Sequence, residues 1–428
     1  MGWVVAITIT LTLFFSVPIG IALGVAALAG ALYLSPNLLV SLPQTYLEGV
    51  NSFPLLAIPL FILSGAIMGY GGIARRIVAV AMVFFGRIPG ALGLVSVVAT
   101  MFFSGISGSS SADTAAIGSV TLPAMKKKGY PKEFATALVA AAGGTATLVP
   151  PSIDFVIIGI VANISIGGLF AAGFLPGAVN GLAIMALVYY YGRKFNLPLE
   201  PKIALKEKLR IIFDGGLALF MALIILGGIL GGIFTPTEAS AVAVVYGFCV
   251  SFFVYKELKL SDIPKLLLRT CELTGVVMLV AGMAFVFSFV LTFERIPFLI
   301  AEYIAQYSKN WIQFVIFVNI VFLFLGMIMD AVPALIVLMP ILVPAGVALG
   351  MEPIHIGILV ACNVGISLIS PPVGVCLYVA CSLSKLSIEA VIRSLIPFLL
   401  VLVGTLMIIS YIPEITLFIP RLLGYVAD

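Results

Sequence analysis

The chain has 428 residues, 62% of them hydrophobic and only 9% charged, with a formal net charge of +4. A soluble globular domain carries roughly 25% charged residues, so the composition excludes a water-soluble enzyme or binding module and points to a protein surrounded by membrane lipid. The cations lie in short loops between apolar runs rather than on one basic patch, which argues against nucleic acid as a partner. Cys249, Cys271, Cys362, Cys376 and Cys381 are scattered through apolar segments without metal-ligand spacing and read as lipid-buried structural thiols. Met1-Gly2-Trp3 lacks the basic stretch that opens a signal peptide, so the first apolar run is expected to be retained.

Taken in order, Met1–Ser16 and Pro18–Leu34 read as two short spans broken at Val17-Pro18, and Phe53–Tyr70 as the next. Arg75-Arg76 through Arg87 has the pattern of an interfacial amphipathic helix. Residues 89–127 form an apolar–polar–apolar unit around Ser104–Thr114. Each arm of about 16 residues reaches only ~24 Å, short of the ~30 Å hydrocarbon core, so a re-entrant hairpin is expected rather than two spans. Residues 131–165 read as a broken helix, interrupted at Gly143–Pro151, and Gly167–Tyr191 as its return. A basic cytoplasmic linker, 196–210, then divides the chain into a first repeat, 1–195, and a second, 211–428. In the second repeat Ile211–Gly232 and Pro236–Tyr255 are broken by Thr235-Pro236-Thr237-Glu238, where Glu238 is expected to cap, and Leu266–Thr292 follows. Pro297–Ser308 is expected at the interface, residues 311–349 as the second hairpin with its tip at Met329–Pro333, and residues 353–382 as a helix broken at Asn363–Pro372. Ser387–Phe418 closes the chain as one span.

This division rests on a constant offset of 221 positions. Phe103 falls on Phe324, Gly105 on Gly326, Pro123 on Pro344, Gly144 on Gly365, and Pro150-Pro151 on Pro371-Pro372, with no gap. Glycine and proline dominate the matches, so what is duplicated is backbone geometry. About five crossings per half would invert the second half relative to the first. That topology puts 19 of the 22 cations on the cytoplasmic side, leaving only Arg295, Lys309 and Arg421 outside. The expected fold is therefore an all-α polytopic membrane protein of two inverted repeats, each with a re-entrant hairpin and a broken helix, as in secondary transporters.

A hairpin tip at mid-membrane needs its backbone groups satisfied by protein, water or a bound ion. Ser107, Gly108, Ser109, Gly144 and Thr145 offer hydroxyl and carbonyl oxygens for a hard monovalent cation such as Na⁺. Met329, Asp330, Asn363, Gly365 and Ser367 offer the second set. No Lys or Arg falls within the tips or breaks, so an anion there would depend on half-helix N-termini, hydroxyls and co-bound cations. Its expected contacts are Ser109, Ser110, Ser111, Asp113, Thr147, Pro150 and Ser152, facing Ala331, Val332 and Pro372. A Ser/Gly run is equally the composition of a solvated loop joining two ordinary spans, and its recurrence at one offset is what favours the functional reading. Asp113 and Asp330 read equally as ligands and as helix caps; Asp154 reads as a cap. The one histidine, His355, reads as a polar residue at the membrane edge. Gly105-Ile106-Ser107-Gly108 also spells the G-x-S-G of rhomboid-type intramembrane proteases, but that chemistry needs a base beside Ser107, and His355 is expected far from it.

These residues resemble the large membrane subunit of TRAP (tripartite ATP-independent periplasmic) transporters. The resemblance is carried by Ser107–Ser119, Val149-Pro150-Pro151-Ser152, Gly173–Gly177, Gly232–Ala239, Met329–Ala334 and Asn363–Gly374, which together sample nearly the whole chain. Asp154 departs from the apolar residue or proline expected after Pro-Pro-Ser. The resemblance implies a multi-pass protein of the bacterial inner membrane and an elevator mechanism. It also implies import of an organic anion such as a C4-dicarboxylate or sialic acid, driven by two or more transported Na⁺ ions. It further implies two partners, a small four-helix membrane subunit and a periplasmic substrate-binding protein. A carrier that works without a binding protein is the alternative.

Overall fold

The computed structural model describes residues 2–15, 17–201, 203–296, 299, 310–327 and 331–426. Among the described residues every regular element is helical. In the first half these are α1 (Gly2–Phe14), α2 (Ile19–Leu34), α3 (Ser41–Val50), α4 (Ala57–Tyr70), α5 (Ile73–Phe85), α6 (Ala91–Ser107), α7 (Ser110–Lys127), α8 (Lys132–Ala146), α9 (Ile153–Val161) and α10 (Ile166–Lys194). The second half holds α11 (Leu205–Leu230), α12 (Pro236–Cys249), α13 (Ile263–Phe293), α14 (Trp311–Gly326), α15 (Ala331–Ala348), α16 (Pro353–Ser367), α17 (Val375–Ser384), α18 (Ile388–Tyr411) and α19 (Glu414–Leu422). Seven helices among the described residues are long and apolar enough to cross a membrane. The hairpin arms α6 and α14 and the helices α8, α16 and α17 are shorter. At 17 residues α6 reaches about 26 Å, so it ends before a ~30 Å core is crossed.

The duplicated plan appears in the helix bounds. Shifting α7 by 221 positions gives 331–348, the bounds of α15, and shifting α8 gives 353–367, those of α16. The packing exchanges in the same way: α4 lies on α12 while α2 lies on α13, and α8 lies on α18 while α10 lies on α16. Reciprocal pairs of this kind are what a two-fold relation between halves produces. The helices gather into two groups, α1–α5 with α11–α13, and the hairpins with their broken helices and α10, α18 and α19.

Several expected boundaries move. Helix α8 runs through Gly143-Gly144-Thr145 and stops at Ala146, and α16 runs through Asn363-Val364-Gly365 and stops at Ser367. Both breaks thus begin later than the glycines suggest, and each holds a cis Pro-Pro bond, Pro150-Pro151 and Pro371-Pro372. Helix α11 starts at Leu205, so Lys206, Lys208 and Arg210 of the expected linker are helical. Helix α3 adds an element that the apolar run lengths do not predict. The last span ends at Tyr411, and Ile412-Pro413 turns the chain into α19, which packs back on α10 and α16. Residues 331–333 of the expected second tip already belong to α15, while Met329, Asp330 and the 297–308 segment, apart from Leu299, lie outside the described residues. Glu238 caps as expected: its carboxylate accepts from Thr235 N at 2.8 Å while Thr235 Oγ1 accepts from Glu238 N.

The two halves are also tied by charge. Glu257, just beyond α12, pairs with both Arg75 and Arg76 of α5, and Arg76 also reaches Asp214 of α11 at 3.1 Å. Burial alone would raise the Glu257 carboxyl, but Arg76 and Arg75 hold it below the usual range. Of the cysteines, Cys362, Cys376 and Cys381 are buried in the bundle, while Cys249 and Cys271 lie on its outer surface.

Candidate functional site

The first hairpin turns at Gly108, whose φ of +66° is the left-handed conformation that glycine adopts without a Cβ clash. This turn sits inside the gap of the broken helix. Ile153 N at the start of α9 donates to Gly108 O at 3.1 Å, and Ser104 Oγ on α6 donates to Ala146 O at the end of α8 at 2.8 Å. Ser110 Oγ meets Thr147 Oγ1 at 2.9 Å. The break leaves helical backbone groups without their own ladder, and the hairpin hydroxyls replace part of it.

Asp113 lies one turn into α7 and is fully buried. It does not cap. Its Oδ1 accepts from Ser107 Oγ on the opposite arm, and Ser107 Oγ in turn accepts from Ser109 N at 3.2 Å. The other oxygen, Oδ2, has no hydrogen-bond partner among the described residues. A carboxylate buried half-paired costs several kcal/mol unless a proton or a cation completes it. Ser152 is also buried, with an unpartnered Oγ. Thr145 is buried and donates to Ala141 O of its own helix.

At the second tip Ser367 Oγ donates to Asn363 O at 2.8 Å and reaches Phe322 O on α14 at 3.3 Å. Asn363 Nδ2 donates to Asn319 Oδ1 at 2.8 Å, while Asn363 Oδ1 is buried without a partner among the described residues. A cavity of about 10 Å³ lies between Gly326, Ala331, Val364 and Ser367, room for a single water-sized species. Pro150 and Ser152 are buried, whereas Pro372 and Val373 are exposed and Val332 is half-buried.

The two junctions meet at Gly144 and Gly365. A Cβ on either glycine would stand 2.5 Å from the carbonyl oxygen of the other, so the broken helices touch backbone to backbone where the duplicated positions coincide. Both glycines therefore have a packing role that their sequence context as helix breakers did not reveal.

His355 is buried, 2% exposed, because α19 folds over it. Its Nδ1 lies 2.7 Å from Thr416 Oγ1 and its Nε2 3.3 Å from Ser410 O. Both ring nitrogens are thus engaged away from Ser107, whose proton goes to Asp113, and no protease dyad forms.

A crevice of about 460 Å³ opens from the tip between α4, α7, α13 and α17. Ser107, Ser109, Ser111, Ser119, Arg269 and Tyr378 are among the residues that line it. Its size suits a small ligand. The sequence did not place Arg269 or Tyr378 here, since nothing in their local pattern brings α13 and α17 beside α7. A larger cavity of about 980 Å³ between α6, α10 and α11 is walled by side chains such as Met101, Phe174 and Leu223 and offers no group to hold an anion.

Residues 6–415 match the family described as tripartite ATP-independent periplasmic transporter, DctM component. The chain is 40% identical to the C4-dicarboxylate TRAP transporter large permease protein DctM of Pseudomonas aeruginosa, over 94% of each chain. It is 35% identical to the sialic acid TRAP transporter large permease protein SiaM of Vibrio cholerae, over 96% of this chain and 97% of the other. It is 38% identical to the isethionate TRAP transporter permease protein DctMQ of Oleidesulfovibrio alaskensis, over 95% of this chain but only 64% of that longer protein. In fold it is similar to the YdaH transporter of Alcanivorax borkumensis, with a TM-score of 0.62 at 17% identity, over 88% of this chain and 89% of the other. With a family match across nearly its whole length and relatives that are permeases rather than enzymes, this multi-pass inner-membrane chain belongs to the DctM family of TRAP transporter large permeases.

Proposed function

We propose that the chain carries an organic anion inward, coupled to two or more Na⁺ ions, after a periplasmic binding protein delivers it. The substrate class is a C4-dicarboxylate, a sialic acid or a similar carboxylate, in keeping with the names of its relatives. The observation that carries this reading is the pair of tip-and-break junctions meeting at Gly144 and Gly365, with an unpartnered buried oxygen at each, Asp113 Oδ2 and Asn363 Oδ1. Anionic and amide oxygens suit a hard cation, so Asp113 moves from the anion's contacts to the ion's, beside Ser107. Ser109, Ser110, Ser111 and Thr147 keep the anion side, and Met329 with Asp330 keeps its place in the second ion set. Hairpins and broken helices would move as one elevator body against α1–α5 and α11–α13. A small four-helix subunit would complete the membrane part, consistent with the extra length of the DctMQ relative.

The test is uptake of labelled succinate and N-acetylneuraminate by the reconstituted system, with and without an inward Na⁺ gradient. Faster uptake of one of them under the gradient is expected. Equal uptake in Na⁺ and in K⁺ contradicts the coupling, and unimpaired uptake without the binding protein contradicts its role.

A further inference from the structure

Among the residues lining the crevice, Arg269 is the only charged one. Its guanidinium has no ion pair or hydrogen bond among the described residues. Arg75, Arg76 and Lys128, by contrast, each hold a carboxylate. Beside it Thr270 is 7% exposed, lines the same crevice, and carries a buried Oγ1 without a partner among the described residues. Helix α7 forms the facing wall through Ser111, Ala112, Ala115, Ala116 and Ser119, one continuous stripe of small side chains. From Ser111 to Ser119 that stripe runs about 12 Å along the helix. The crevice thus holds the hydroxyls of the tip and a lone cation, with no carboxylate among its described lining residues to neutralise it.

Arg269 is exposed and also lines the crevice, whereas an arginine kept only to mark the cytoplasmic side would extend to lipid headgroups without bordering one. One that faces a crevice with low-dielectric walls focuses its field into it and concentrates anions there. A guanidinium also receives a carboxylate through two parallel hydrogen bonds, which an ammonium does not. We infer that Arg269, with Thr270 and Ser119, forms a second anion subsite for the carboxylate substrate, on the release side of the hairpin tip. That the anion is the transported substrate rests on the function proposed above; the preference of the crevice for anions does not.

The test uses the full chain with its small membrane subunit in micelles, carrying Cys249→Ser and Cys271→Ser to remove the surface thiols. Ser119→Cys supplies the reporter. Its reaction rates with a sulfonate-bearing and a trimethylammonium-bearing methanethiosulfonate are each normalised to the rate with a free thiol in solution. The anionic reagent is expected to be favoured, and Arg269→Gln to lower the anion-to-cation ratio by about tenfold, while Arg269→Lys keeps most of it. Should Arg269→Gln not fold, the parent reporter still decides, because a field from Arg269 must collapse towards a ratio of one in 1 M salt, where the Debye length is about 3 Å. An unchanged ratio in Arg269→Gln, a ratio indifferent to salt, or a reporter unreactive to both reagents overturns the subsite. If the ratio behaves as expected but no carboxylate is taken up with Na⁺, the subsite stands and the proposed cargo falls.

Discussion

At the first hairpin, serine and threonine hydroxyls join tip to break: Ser104 to Ala146, Ser110 to Thr147, with Ile153 N on Gly108 O. At the second, the described contacts run through Ser367 and an amide pair, Asn363 and Asn319, that continues at 3.3 Å to Ser410 on α18. The first Pro-Pro pair is buried, whereas Pro372 of the second is exposed. One backbone plan has thus been finished with different chemistry. The glycines hold the plan, and the side chains decide how firmly each tip is held and which ligands it offers. Among the described residues the first junction is closed around a carboxylate, whereas the second shows a small cavity beside Ser367 and an exposed Pro372, its residues 328–330 lying outside the described ones.

Four experiments would break or sharpen this contrast. The largest effect is expected where the two junctions coincide. Gly144→Ala and Gly365→Ala each press a methyl onto a backbone oxygen, which overpacks the contact by about 1–3 kcal/mol. Both should lower thermal stability and abolish most uptake to a similar degree, while Gly404→Ala, with open space around it, should do neither. Unequal losses in the glycine pair would argue against a shared contact. Next is Asp113→Asn, which keeps shape but removes the charge. Losing a charge-assisted contact of about 1.5–3 kcal/mol should raise the Na⁺ concentration for half-maximal uptake by about tenfold or more. An unchanged Na⁺ response would reduce Asp113 to a structural partner of Ser107.

Smaller still is Ser104→Ala, which removes one neutral hydrogen bond and should cost about 1 kcal/mol in unfolding without changing the half-maximal Na⁺ concentration. Ser367→Ala should instead change Na⁺ response more than stability, since Ser367 borders the small cavity. Equal profiles for the two would erase the distinction between the junctions. The smallest effect lies away from both. Glu257 has a depressed folded pKa, so its contribution is present above the ordinary glutamate range and is lost as pH falls through the folded value. Partial exposure screens the pair, and the contribution should stay below about 1 kcal/mol. The stability gap between wild type and Glu257→Gln should therefore close on acidification, and a gap constant with pH would remove the ion pairs from the account.

Much of the backbone was legible in the sequence, because glycine, proline and apolar run lengths report directly on turns and spans. The shifted bounds of α7 and α8 reproduce α15 and α16 for that reason. The same signal misled at Gly143-Gly144: low helix propensity reads as a break, but here Gly143 admits the Thr114 side chain, Gly144 admits the Gly365 backbone, and the helix continues. The contacts of His355 and Arg269 escape the sequence for a different reason. Their surroundings are made by α19, α13 and α17, distant in sequence, and only the packed structure shows a histidine beneath Thr416 or an arginine beside Ser119's helix. Asp113 was found as a tip carboxylate, yet its pairing with Ser107 across the hairpin could not be read from spacing alone.

The measurement that bears most directly on the central claim is the initial rate of substrate uptake against Na⁺ concentration, in proteoliposomes holding the complete system with saturating loaded binding protein. Two coupled ion sites predict a sigmoidal curve for the wild type that shifts to higher Na⁺ in both Asp113→Asn and Ser367→Ala. A rate independent of Na⁺, or one that neither substitution moves, would contradict it.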